Sequence, residues 1–206
     1  MKDRAVDLLH DSLVIGRRAD VLARWFAEMV PRGARVLDVG CGDGLIAGRI
    51  ASFRPDISIE GVDVKVRERT HIPVTESDGS HLPFEDGAFD LILLSDVLHH
   101  TDDPNTLQVE ARRVTRRHVL IKDHNVKGLA ANQRLRFMDH VGNSRFGISL
   151  PYNYWREVQW KECWDRIGLN PDRVVTKLGL YPWPANWLFG AQLHFIALLE
   201  KIDPAP

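Results

Sequence analysis

Three glycines and a set of strand-end acids near the start of the chain have the types and spacing for ligand chemistry. Asp38 lies in an apolar run, Val36-Leu37-Asp38-Val39, which passes into glycines at alternate positions, Gly40, Gly42 and Gly44, with Cys41 and Asp43 between them. Glycine permits positive φ and lets a ligand approach the main chain with no Cβ in the way. Asp63 closes a second apolar run about twenty residues further on, where a carboxylate can accept both hydroxyl hydrogens of a ribose. Capping the next helix is the plain alternative for such an aspartate. Further along, Asp78-Gly79 marks a turn whose acid can take the amino hydrogens of a base, or simply close the turn.

The charges select among ligands. The spacing is G-x-G-x-G, and Leu45 stands where the third glycine of a dinucleotide loop belongs. Asp38 and Asp43 would each repel a pyrophosphate by roughly 1–4 kcal/mol at a few ångströms. A cofactor carrying an ammonium and a sulfonium is welcomed by the same acids, so S-adenosylmethionine fits better than NAD.

Elements must bring these residues together. The patterning predicts a strand over 35–39, a helix over 44–53, and strands over 57–62 and 72–75. The unbroken apolar run 89–94 suits a central parallel strand buried on both faces. A helix over 104–115 and a strand over 118–122 follow, then a helix over 127–140 and another carrying Trp160, Trp164 and Ile167 that Gly168 stops. Strands over 173–177 and 194–199 close the chain, and helices over 3–12 and 17–30 open it. Ligands of open parallel sheets lie beyond the carboxyl ends of the strands. That rule sets residues 95–103, with His99 and His100, over the cleft, and His124 on the same side.

Residues 34–123 resemble the cofactor-binding half of the class I S-adenosylmethionine-dependent methyltransferases of small-molecule type. The likeness rests on Val36-Leu37-Asp38-Val39-Gly40-Cys41-Gly42-Asp43-Gly44, Gly61-Val62-Asp63-Val64, Ser77-Asp78-Gly79-Ser80-His81-Leu82-Pro83-Phe84 and the run from Phe89-Asp90 to His99-His100. It implies an α/β, Rossmann-like, seven-stranded, mostly parallel sheet of order 3-2-1-4-5-7-6 with helices on both faces. It also implies a cofactor site of Asp38, Gly40, Cys41, Gly42, Asp63, Val64, Asp78, Gly79 and Ser95, with residues 81–84 along the adenine and S-adenosylhomocysteine as product. By the same likeness, His99 is the candidate base for the acceptor's proton, or else a hydrogen-bonding wall of the cleft. His124, Tyr152 and Tyr154 are the candidate acceptor-binding residues. Arg17 and Arg18 face a carboxylate of cofactor or substrate, or are solvated at a helix start.

The 206 residues are read as one domain: a helical cap over 1–33, the cofactor half over 34–123, and a substrate half over 124–206 with a lid insert at about 124–155. A net charge of −1 with no lysine- or arginine-rich tract speaks against a nucleic-acid partner. Cys41 and Cys163 lack C-x-x-C spacing, and the His and Asp residues lack regular ligand spacing, so no metal is expected. No apolar stretch approaches a membrane span, and a cytoplasmic protein is expected. The aromatics of 150–155 and 181–190 suit the cover of a flat or greasy acceptor, or pack a lid onto the core. Contact of 183–189 with a membrane surface ranks below both. These features leave the oligomeric state open.

The expected activity is therefore methyl transfer from S-adenosylmethionine to a small aromatic or hydrophobic acceptor by in-line displacement. A protein that binds the cofactor without transfer is the alternative. A nicotinamide oxidoreductase stands behind both, opposed by Leu45 and the loop acids.

Overall fold

The structure, a computed structural model, describes residues 16–143, 151–190 and 192–202. The helix expected over 3–12 and part of the aromatic loop before Pro151 lie outside them. Five helices are described, α1 (Gly16–Met29), α2 (Leu45–Phe53), α3 (Pro104–Val114), α4 (Ala131–Asn143) and α5 (Glu157–Ile167). The strands are β1 (Arg35–Val39), β2 (Ser58–Asp63), β3 (Val74–Glu76), β4 (Phe89–Ser95), β5 (Thr115–His124), β6 (Leu169–Val175) and β7 (His194–Lys201). A 3₁₀ turn spans Leu98–His100 and a π turn Asn186–Gly190.

All seven strands join one sheet in the order β3-β2-β1-β4-β5-β7-β6, as expected. β1 to β5 pair in parallel, and β7 runs antiparallel between β5 and β6. β1 and β4 lie side by side, so the chain reverses its direction of growth there and opens a crevice at their carboxyl ends.

Alternation along β4 shows how the core divides. Ile92 and Leu94 pack with Trp160, Trp164 and Phe195 on one face. Leu91 and Leu93 pack with Leu22 and Phe26 of α1 on the other. Each fully buried side chain of this size stabilises the fold by about 1.5–3 kcal/mol. Local signals set the helix ends. Asp103 caps α3 by accepting from the Asn105 N–H, with Pro104 in the first helical position, and Gly168 ends α5 at φ +67°.

The boundaries differ from expectation where burial does not alternate. β5 starts at Thr115 rather than 118, and its first residues include the exposed Arg116 and Arg117, which carry no apolar signal. β6 starts at Leu169, and as an edge strand it tolerates Pro171 and leaves residues 170–174 exposed. α4 begins four residues late because Gly128 and Ala130 both take positive φ.

Candidate active site

The loop after β1 turns tightly across the end of β2. The N–H groups of Gly40 and Cys41 both donate to the Val62 carbonyl, at 2.8 and 3.2 Å. Gly40 sits at φ +70°, and a Cβ there would stand 2.4 Å from Cγ2 of Val97. Only glycine meets both demands. The Gly42 N–H donates to Oδ2 of Asp63 at 2.8 Å, while Oδ1 of Asp63 accepts from the Lys65 N–H at 3.0 Å. Asp63 thus ties the glycine loop to the turn after β2.

These elements border a cleft of about 890 Å³ at the carboxyl ends of the parallel strands. Of the residues expected to hold a cofactor, Gly40, Cys41, Gly42, Asp63, Val64, Asp78 and Gly79 line it. Oδ1 of Asp78 closes the turn, accepting from the Ser80 and His81 N–H groups at 2.8 and 2.7 Å. Its Oδ2 makes no hydrogen bond among the described residues, so the turn and a ligand contact are compatible.

The other placements differ. Ser95 ends β4 behind the lining, with its buried Oγ unpartnered. Asp43 turns back to accept from the Leu45 N–H at the start of α2. The segment expected along the adenine packs elsewhere. Leu82 is fully buried, Phe84 stacks edge-on to Phe89 at 4.9 Å, and His81 pairs with Glu110 at 2.8 Å. An apolar run after a turn reads alike whether it lines a pocket or enters the core.

Asp38, also expected to hold the cofactor, does not line the cleft: it is buried within β1, two residues before Gly40, and 4% exposed. Burial, and then the carboxylate of Asp63, push its carboxyl up to about 8. No described side chain or N–H donates to it. A buried acid raised in this way is what a bound ammonium or sulfonium would compensate. The cleft itself is lined by five acids, Asp63, Asp78, Asp96, Asp102 and Asp103, against two basic residues, Lys65 and Arg67, a balance that suits the cationic S-adenosylmethionine better than a pyrophosphate.

Beyond the tip of β4 the chain builds a second, enclosed polar cluster. Asp96 takes positive φ, +56°, a strained conformation for a non-glycine residue. It both lines the cleft and reaches inward. Its Oδ2 accepts from Arg18 of α1 and its Oδ1 from Lys122 of β5. Burial opposes its charge, but the two cations outweigh burial and hold the carboxyl well below its usual range.

His99 lies deeper, 1% exposed and outside the cleft lining. Its Nδ1 donates to Oδ1 of Asp123 at 2.7 Å, and its Nε2 faces Oδ2 of Asp139 at 3.5 Å. Burial would lower its pKa, yet the pull of Asp123 prevails and raises it. His100 is the member of the pair that lines the cleft. Burial and the neighbouring His99 lower its pKa to about 4, so its imidazole is neutral at neutral pH.

His124 is enclosed too, its Nδ1 3.3 Å from that of His99. Burial and His99 lower its pKa. Tyr154 donates to Asp139, and Tyr152 sits nearby at φ +58° under the guanidinium of Arg136, 4.7 Å away. His124 and Tyr154 therefore belong to the enclosed cluster rather than to the open cleft.

Asp96, His99 and His124 offer ligand atoms within 4.8 Å of one another, as do His99, His100 and Asp139. In the first group Lys122 and Arg18 already lie on the carboxylate. In both groups the nitrogens of His99 are turned to acids. Arg18, Lys122 and the His99 ring thus already lie against Asp96, Asp123 and Asp139.

Lys122, Asp139 and His194 were not singled out from the sequence. A signal existed for two of them. Lys122 interrupts the apolar run of β5, and Asp139 follows Leu135 by four residues, on the buried stripe of α4.

The comparisons agree with this geometry. A model described as "Methyltransferase domain" matches residues 37–121. An uncharacterized methyltransferase of Mycobacterium sp. (strain JLS) is 38% identical over 96 residues, which cover 43% of this chain and 37% of the relative. A malonyl-[acyl-carrier protein] O-methyltransferase of Geobacter sulfurreducens is 35% identical over 107 residues, covering 46% and 39%. The chain therefore matches about two fifths of the length of these curated relatives. Among solved structures, a SAM-dependent methyltransferase from Aquifex aeolicus aligns at a TM-score of 0.61 and 17% identity, covering 90% of this chain and 93% of its own. Strand order and domain match agree: residues 37–121 match a methyltransferase domain, carried on the seven-stranded sheet of the Rossmann-like methyltransferase fold.

Proposed function

We propose that this protein transfers a methyl group from S-adenosylmethionine to a small, hydrophobic acceptor. The observation that carries the reading is the orphaned Asp38 carboxyl beneath a glycine loop that Asp63 ties down. It is an acid that a bound cation would ionise, at the position where a dinucleotide-binding sheet would receive phosphates. Gly40, Cys41, Gly42 and Val64 would form the walls around the cofactor, Asp63 would hold the ribose hydroxyls, and Asp78 the adenine amino group. When bound, S-adenosylmethionine supplies a methyl already activated on a sulfonium. The residues of the chain then have to align the nucleophile and exclude water, and alignment alone contributes about 7–11 kcal/mol.

The histidine pair narrows the acceptor. His99 is enclosed between Asp123 and Asp139, its pKa raised by Asp123, and His100 at the cleft is depressed to about 4. Neither is matched to removing a proton from an alcohol or phenol near neutral pH. That favours an acceptor already nucleophilic there, such as a carboxylate; the Geobacter relative is named a malonyl-[acyl-carrier protein] O-methyltransferase, which is consistent with this reading. His99 enters this reading as a positioning residue that holds His100 and the turn at the acceptor side.

Calorimetry with S-adenosylmethionine, S-adenosylhomocysteine and NADH tests the cofactor assignment. Binding of the first two without the third is expected, and binding of NADH alone would overturn it. A screen of carboxylate against phenol acceptors then tests the transfer. Cofactor binding with no turnover on either class would point to a binding protein without transfer activity.

A further inference from the structure

Large apolar side chains stand out together on the acceptor side of the molecule. Leu129 is 94% exposed, Trp183 86%, Trp187 72%, Phe137 59% and Leu188 42%. They come from the segment before α4, from α4, and from the bend that carries the π turn, and they form one face. Arg134 pins the pieces together, donating to the Leu188 carbonyl at 3.0 Å and the Leu129 carbonyl at 3.1 Å. Phe137 stacks on Phe189 at 6.1 Å.

We propose that this face docks on the surface of an anionic lipid bilayer. Three observations support a bilayer over other occupants. Two of the five are tryptophans, both largely exposed, and indoles favour the level of the lipid headgroups. Basic residues accompany the five: Arg134 holds the Leu188 and Leu129 carbonyls, and the exposed Lys127 (3.9 Å from Glu157) and Arg136 (over the Tyr152 ring) neighbour Leu129 and Phe137 in the chain, charges that an anionic leaflet attracts. A second copy of the chain is a poorer partner, because a two-fold contact across this face would bring the same cations together from both sides.

Packed rings link the face to the cleft through the buried cluster. Ring contacts run from His100 to His99 at 4.0 Å, on to His124 at 4.3 Å and to His194 at 4.9 Å. They continue to Tyr181 at 5.9 Å and to Phe189 at 6.4 Å. Trp183 and Trp187 take no part in the cleft, and the docking inference stands whether or not transfer to a hydrophobic acceptor is borne out.

The test is flotation of the full chain with vesicles of phosphatidylcholine alone and of phosphatidylcholine with phosphatidylglycerol. Co-flotation with the anionic vesicles is expected. Trp183→Ala with Trp187→Ala should lower the bound fraction about tenfold or more, with S-adenosylmethionine affinity by calorimetry unchanged. Lys127→Gln with Arg136→Gln should remove the difference between the two vesicles. Failure to float with either vesicle would overturn the proposal, as would a tryptophan variant that floats like the parent. So would sedimentation velocity revealing a dimer that the tryptophan variant dissociates, or loss of vesicle binding in favour of an acidic protein partner.

Discussion

Two single residues carry opposite electrostatic tasks. Asp38 is raised to about 8 in the folded chain, so most of it is protonated near neutral pH. A bound cation favours the ionised form, and binding must then expel a proton below that value. Calorimetry in two buffers of different ionisation enthalpy should record proton release on S-adenosylmethionine binding near neutrality, reduced in Asp38→Asn. Release that is equal in both proteins would remove Asp38 from the site. His100 offers the complementary check. A general base contributes about 10²–10⁴-fold to turnover, so His100→Gln should lower kcat by less than about tenfold if the acceptor needs no base. A loss in the hundreds, with a pH profile that loses its acid limb, would restore proton removal to the mechanism.

Asp123 belongs to the scale of elements, because it joins the end of β5 to the 3₁₀ turn after β4. It receives the His99 ring at 2.7 Å, the Leu98 N–H at 3.2 Å and the His124 N–H at 2.7 Å. Removing one partner of a buried pair costs about 3–5 kcal/mol, and Asp123→Asn should lose that much in denaturant unfolding. The sign with pH follows from His99, whose folded pKa is raised. Its stabilisation is complete below about 6.5, the ordinary histidine value, and fades as pH rises through the folded one. The gap between the wild type and Asp123→Asn should therefore narrow on the alkaline side. A gap that widens there would mean that His99 is neutral in the fold. Much of this scale was legible in the patterning. The existence of β1 to β5 followed from apolar runs and glycine punctuation, and the placement of 95–103 from the strand-end rule, whereas the strand order came from the family resemblance. The exposed starts of β5 and β6 did not, since pairing to a neighbouring strand needs no apolar side chain.

For the molecule as a whole, cofactor binding and stability are one equilibrium. S-adenosylmethionine at a hundredfold its Kd should add about 2.7 kcal/mol. In a chain of this size that raises Tm by roughly 5–11 °C, at about 2–4 °C per kcal/mol. Scanning fluorimetry with S-adenosylmethionine and with NADH reads the difference directly. A shift from NADH and none from S-adenosylmethionine would contradict the acidic cleft. The same sheet that makes the cleft also places the enclosed charge cluster between it and the exposed aromatic face.

The sequence by itself determined the strand–glycine–helix opening, the acids that prefer a sulfonium to a phosphate, and the sheet that displays them. These depend on local backbone conformation and on the sign of nearby charges, both of which neighbouring residues decide. Tertiary structure alone decided which of two adjacent histidines meets the cleft. It also decided that Arg18 and Lys122 converge on Asp96, and that Leu82 and Phe84 enter the core instead of lining a pocket. Those outcomes turn on contacts between residues far apart in the chain, 78 positions for Arg18 and Asp96. No periodicity encodes such a contact, and only the packed sheet supplies the burial that gives it its strength.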